Sequence, residues 1–270
     1  MIQESLPLLR HPLQSPSAFT PERLMDAVRA ERGLATLPVP PLCVLDFDGD
    51  LSDHLAERQI SSPWRSWACF HTSMRVATIA GIACGIVPRT IGGPYAVLVS
   101  EQLWAAGARV IVGITSAGRI APDLPLPSIV VANEAIRDEG TSLHYLPAAQ
   151  SVHAPTPQII KPLLSELATV SGHASQGLVW TTDAPYRETR EQLTEWAGRG
   201  VLAVEMQAAS LFAFGSARRA AVAVVALVSN GVDEKGKAFD TGGDRYRVSV
   251  LTAIARATAQ YLASEAPASK

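Results

Sequence analysis

With 270 residues, a formal net charge of −2 and 47% hydrophobic residues, the chain is long enough for one large α/β domain with a sizeable core. The near-neutral charge argues against nucleic acid or a membrane surface as partner, and no apolar run approaches the ~20 residues of a membrane helix. Three widely spaced cysteines, Cys43, Cys69 and Cys84, form no CxxC pair and the N-terminus has no signal-peptide pattern, so a reduced, cytoplasmic setting without a metal is expected.

Residues 1–20 contain Pro and Ser, lack periodicity and read as an extended arm. Thr20-Pro21-Glu22 predicts an N-cap with Pro at the first helical position, and a helix to about Arg32. After Pro38, Pro40 and Pro41, Leu42–Leu45 reads as a short buried strand ending in Asp46-Phe47-Asp48-Gly49-Asp50. Residues 64–91 predict a hairpin in which Trp67, Phe70 and His71 are packing residues. Arg89 then leads into Gly92-Gly93-Pro94, a tight turn into a helix that Gly107 ends. A strand, Arg109–Ile114, follows. Its end, Thr115-Ser116-Ala117-Gly118, is expected to be a small-residue turn whose backbone N–H groups can approach a ligand.

Ser128–Ala132 is the next strand, and the polar stretch Asn133–Tyr145 reads as a surface excursion, pocket wall or subunit contact. Pro157–Val170 predicts an amphipathic helix, Gly177–Thr181 a strand, and Glu188–Ala197 a helix. In 200–230, apolar runs at Val201–Val204 and Ala221–Val228 flank a small-residue helix, Ala208–Arg218. Such runs suit strands buried on both faces, and the order predicts a parallel crossover. Ligands bind at the carboxyl ends of strands in open α/β sheets, which selects Glu205, Met206, Gln207 and Asn230. A polar loop, 231–244, and a last helix, Tyr246–Ala263, complete one domain over residues 1–270.

The acidic turn carries weaker likenesses. A strand followed by Asp46-Phe47-Asp48-Gly49 resembles the first motif of haloacid-dehalogenase phosphohydrolases, but Asp50 departs from it and no later Lys and acidic-pair motif follows. Asp46, Asp48, Asp50 and Glu57 partly mimic a calcium loop that lacks its glycine and preceding helix. A solvated strand-to-turn corner or a pocket edge is the preferred reading.

A set of motifs taken together carries a broader resemblance. Ile91-Gly92-Gly93-Pro94, Thr115–Gly118, Arg137–Tyr145, Thr182-Asp183-Ala184-Pro185-Tyr186 and Val204–Ala209 occur in the order seen in nucleoside phosphorylases, nearest the uridine phosphorylase branch. The resemblance spans about residues 42 to 260. It implies a three-layer α/β/α phosphorylase/hydrolase-like fold with a mixed central sheet partly curled into a barrel. It also implies homo-oligomers from dimer to hexamer, a small-molecule nucleoside substrate, and no cofactor beyond phosphate as co-substrate.

Cleavage of an N-glycosidic bond makes C1 of the sugar oxocarbenium-like. Polar or anionic groups must then face the ribose, and hydrogen-bond donors must face the leaving base. The resemblance places Gln207 where relatives carry a second Glu on the ribose hydroxyls, Met206 on the sugar face, and Glu205 as a buried acceptor. It assigns Asp183, Tyr186 and Arg187 to the base side, along with Asn230, where purine-cleaving relatives place an acid. Gly49 and Asp50 match the start of a phosphate loop, but the family's Arg there is Asp53, and a second expected Arg falls on Gly113. Each like-charge contact at an effective dielectric of ~20 costs on the order of kcal/mol, so this surrounding is hostile to phosphate. Arg89 or Arg119 are candidate substitutes. Ser116, with the N–H groups of Ala117 and Gly118, offers a seat for an anion or a water, and His11 is a candidate to reach a neighbouring subunit's sugar. The alternatives are a phosphate-independent hydrolase, a non-catalytic nucleoside-binding protein and, distantly, a phosphohydrolase.

Overall fold

Thr20 closes the arm and starts the first helix, α1 (Pro21–Arg32). Its hydroxyl accepts from the Arg23 N–H, Pro21 loses nothing at a position whose N–H has no helical partner, and Gly33 ends the helix at φ +63°. The computed structural model describes residues 6–231 and 244–265. Most of the polar loop expected at 231–244 therefore lies outside the described residues.

In chain order α1 is followed by β1 (Leu42–Asp46), α2 (Asp50–Glu57), β2 (Ser62–Pro63), β3 (Arg75–Ile79), β4 (Ile82–Pro88), α3 (Gly93–Ala105), β5 (Val110–Arg119), β6 (Ser128–Asp138), β7 (Ser151–His153) and α4 (Ile160–Leu167). Then come β8 (Ala174–Thr182), α5 (Arg190–Gly198), β9 (Ala203–Glu205), α6 (Ala208–Arg218), β10 (Ala221–Gly231) and α7 (Asp244–Ser264). The predicted hairpin is β3–β4. Ala80 and Gly81 between its strands both have positive φ, as a two-residue mirror-image turn requires. Trp67 packs inside as expected. Phe70 is 39% exposed and His71 is exposed, so neither is the packing residue predicted.

All strands belong to one mixed sheet. Its path runs β10-β6-β8-β9-β5-β1-β4-β3-β2, and β10 pairs with β5 as well. Strands β10, β6, β8, β9 and β5 therefore close a circuit, the curled sheet that the family resemblance implies. One helical layer packs α3 on α6, with α1 outside α3. The other packs α4 on α7, with α2 alongside. Apolar residues fill the space between layers, and a smaller cluster of Trp180, Trp196, Val201 and Val204 lies under α5.

Three elements differ from their prediction. The stretch 200–230 is not a parallel crossover: β9 lies antiparallel to β5 and β10 parallel to it, so β9 and β10 run in opposite directions. Burial on both faces makes each run apolar but leaves direction open, and the short β9 completes the circuit from β8 to β5. Thr115–Gly118 is not a turn but the second half of β5, in ladder with β10 up to Arg119. Asn133–Asp138 is no excursion either. It extends β6, paired with β8 on one side and β7 on the other.

Packing of α3 on α6 depends on Gly93. A Cβ there would sit 2.2 Å from Ser210 Oγ, and that hydroxyl is committed to Glu139 Oε2 at 2.6 Å. Gly93→Ala is expected to cost about 1–3 kcal/mol in urea unfolding, and the double variant Gly93→Ala/Ser210→Gly should recover part of that loss. An unchanged midpoint in the single variant would show that Ser210 turns aside freely.

Candidate functional site

Strand β5 has two edges. One carries β10 along Val110–Arg119. The other is divided: β1 runs parallel along Val110–Ile114, and β9 runs antiparallel at Gly118–Arg119. Thr115, Ser116 and Ala117 lie in the gap between those two partners, and two side chains from other elements approach there. Thr115 Oγ1 lies 3.3 Å from Gln207 Oε1, and Ser116 Oγ donates to Asp48 Oδ1 at 3.1 Å. Backbone amides of Ala117 and Gly118 lie within strand pairing, so the open N–H turn predicted there is absent.

Glu205 and Gln207 sit at the junction of β9 and α6. The helix begins without a side-chain cap from its own N-cap residue, Gln207. Glu205 supplies the acceptor: Oε2 takes the N–H groups of Gln207 at 2.6 Å and Ala208 at 2.9 Å, and Oε1 accepts from the Thr181 hydroxyl. Thr181 Oγ1 in turn accepts from Ala209 N at 3.0 Å. The α6 N-terminus is thus held by one carboxylate and one hydroxyl from neighbouring strands, satisfying donors that a helix start leaves open. Gln207 is 2% exposed, with Oε1 accepting from Met206 N at 3.3 Å; Met206 is half-buried.

Asn230 lies beside Gly118, and on the divided edge Gly118 faces Val204, next to Glu205. A register shift between Val228 and Asn230 makes Ser229 a bulge residue, and its hydroxyl donates to Asn230 Oδ1 at 3.2 Å. Bulges at barrel rims re-aim side chains in this way. Gln207 and Asn230 thus come to β5 from two other elements, Gln207 at Thr115 and Asn230 beside Gly118.

The acidic turn, expected as a solvated corner or a pocket edge, is solvated only in part: Asp50 is exposed and Asp48 partly so. Asp46 is the last residue of β1 and fully buried, with Oδ2 accepting from Ser52 N at 2.8 Å at the start of α2. Burial pushes its carboxyl above the ordinary range, against the Ser52 hydrogen bonds and the charge of Arg247. A fully buried Asp46 gives no approach to a phosphomonoester, and among the described residues no acidic or His/Cys group is arranged to hold a metal ion. Gly49, at φ +92°, passes under Arg89, whose side chain lies 2.8 Å from where a Cβ would be. Arg89 pairs with Asp53 through both guanidinium nitrogens, at 2.5 and 3.2 Å. Asp50 faces Arg247 at 3.1 Å. Arg119 donates to Leu124 O at 3.4 Å. At Gly113, the ring of Phe47 lies 2.8 Å from a would-be Cβ, so an aromatic plug fills the place expected of a cation.

The remaining predicted residues stand apart from the gap in β5. Gly92, at φ +89°, precedes α3. Tyr186 is fully exposed and Arg187 is also exposed, so neither forms an enclosed base pocket in this chain. Asp183 Oδ2 accepts from Gly140 N at 2.9 Å. His11 packs tilted against His144 of its own chain, ring centroids 4.0 Å apart, rather than extending outward. His11 and Asp183 line a cleft of about 880 Å³ between the arm, α3 and α6, whose walls include neither Gln207, Ser116 nor Asn230. Sequence reasoning missed Thr115, Thr181, the role of Asp48 and, above all, Arg247 on α7. Nothing in a helical stretch read as sheet cover distinguishes one arginine that turns inward.

Helices on both sides of a mixed, partly closed sheet, with polar groups gathered at strand ends, define a three-layer α/β/α protein. The chain belongs to the phosphorylase superfamily, whose model matches residues 49–260. It is 30% identical to a uridine phosphorylase of Treponema pallidum over 166 residues, covering 56% of this chain and 64% of that protein. It is 29% identical to a guanosine phosphorylase of Halorubrum lacusprofundi over 140 residues, covering 51% and 56%. The matched stretches thus span less than two thirds of these relatives. The crystal structure of a uridine phosphorylase from Vibrio fischeri ES114 superposes with a TM-score of 0.68 at 21% identity, over 85% of this chain and 93% of that one, a likeness of fold.

Burial raises the Glu205 carboxyl from its ordinary 4.5 to about 7, against the hydrogen bonds from Thr181, Gln207 and Ala208; Glu139 adds to the rise. A folded-state value above the unfolded one means stability is fully present below about pH 4.5 and is lost as pH climbs through about 7. Urea unfolding across that window should show wild type losing about 1–3 kcal/mol relative to Glu205→Gln. Parallel pH profiles for the two proteins would refute this assignment.

Proposed function

We propose that this protein cleaves the N-glycosidic bond of a nucleoside. The observation that carries the reading is the placement of Gln207 at Thr115 and of Asn230 beside Gly118 on β5, the strand that also bears Ser116, in a chain of the phosphorylase superfamily. The names of its relatives, uridine, guanosine and purine nucleoside phosphorylases, support a nucleoside as substrate. In this reading the Gln207 amide hydrogen-bonds sugar hydroxyls but brings no charge to the oxocarbenium-like sugar. Asn230 holds a base carbonyl or ring N–H without donating a full proton. Met206 lies against the sugar face.

Family membership favours phosphorolysis, which releases the base and a pentose 1-phosphate. A specific set of contacts favours a second reading, in which water takes the place of phosphate. Arg89 is engaged by Asp53, Arg247 faces Asp48 and Asp50, and Phe47 occupies the space above Gly113. A phosphate dianion entering here meets cations already neutralised by carboxylates.

Incubation with a panel of purine and pyrimidine nucleosides, with and without phosphate, separates the readings by free base and sugar product. Phosphate-dependent release supports phosphorolysis, and phosphate-independent release supports hydrolysis. Absence of release under both conditions, with a nucleoside-induced thermal shift, would reduce the protein to a binder. Gln207→Ala should lower kcat/KM by about ten- to a hundredfold while the protein remains folded; unchanged kcat/KM would remove Gln207 from the sugar site.

A further inference from the structure

Asp48 holds an unusual position among the carboxylates after β1. Its Oδ1 accepts from Ser116 Oγ at 3.1 Å, and its Oδ2 lies 3.6 Å from Arg247 Nη2. Ser116 comes from the gap in β5 and Arg247 from α7, so a hydroxyl and a guanidinium approach one carboxylate from two elements. Arg247 is 3% exposed, and its Nε, Nη1 and Nη2 are buried without a hydrogen bond. The 3.1 Å approach to Asp50 supplies opposite charge but no hydrogen bond. A guanidinium withdrawn from water with its donors unused is costly, and planar oxyanions are the groups that match its fork.

We propose that Ser116 and Arg247 form a seat for a small oxyanion and that Asp48 is its internal occupant, a carboxylate that keeps free phosphate out of the resting protein. Arg89 does not compete for this role, because Asp53 engages it from both nitrogens. Occupancy of the seat stands on geometry alone. Its consequence for the reaction, water in place of phosphate as nucleophile, rests on the glycosidic reading above.

Calorimetric titration of the full chain with inorganic phosphate tests the seat without any assay of turnover. Asp48→Ala should bind phosphate at least about tenfold more tightly than wild type, and Asp48→Ala/Ser116→Ala should lose that gain. Asp48→Asn, which keeps the shape and removes the charge, serves the same comparison should the alanine variant fail to fold. Equal affinities in wild type and both Asp48 variants would overturn the proposal. So would a gain that survives loss of the Ser116 hydroxyl. If glycosidic activity is present, Asp48→Ala should also begin to form pentose 1-phosphate. If no variant cleaves nucleosides, the glycosidic reading fails while the titration still decides the seat.

Discussion

Strand β5 has more partners than an ordinary strand, and the way it shares them governs the rest of the structure. One edge is given wholly to β10. The other is split between a parallel partner at its start and an antiparallel one at its end, so backbone pairing cannot continue through Thr115, Ser116 and Ala117. Buried backbone and hydroxyl groups in such a gap need partners from outside the sheet. For the Thr115 and Ser116 hydroxyls they come from the start of α6 and from the loop after β1, the two places that carry Gln207 and Asp48. The break in the ladder and the gathering of polar side chains are one feature.

The start of α6 shows how a helix can be fixed without a cap of its own. Glu205 and Thr181 come from adjacent parallel strands and take the first N–H groups of the helix between them. The helix dipole favours a negative charge at this point while burial penalises it. Glu205 lies between those tendencies, which is why its ionisation falls near neutrality. Gln207 inherits its position from this arrangement, since its own amide oxygen does no more than receive Thr115 and Met206.

Much of the architecture was legible in the residues. Thr20-Pro21, Gly92-Gly93-Pro94 and the apolar runs each act through local backbone chemistry, and the helices and strands they mark exist within a few residues of the expected limits. Strand direction was not legible, because an apolar run looks the same whichever way its neighbour points. The length of β5 and β6 was hidden for a different reason. Thr115–Gly118 and Asn133–Asp138 have turn-like or polar composition, yet their pairing is imposed by closure of the sheet. Gln207 and Asn230 were chosen as strand-end residues, and each does lie at the end of a strand, although the parallel crossover that selected them is absent. Arg247 was invisible, since its inward orientation depends on carboxylates some two hundred residues earlier.

Phe47 and Gly113 have a further implication for how sequences of this kind can change. The ring and the missing side chain occupy one volume between them. A larger residue at 113 collides with the aromatic, and a smaller residue at 47 leaves a void in the core. Neither replacement succeeds first, so the two positions must move as a pair.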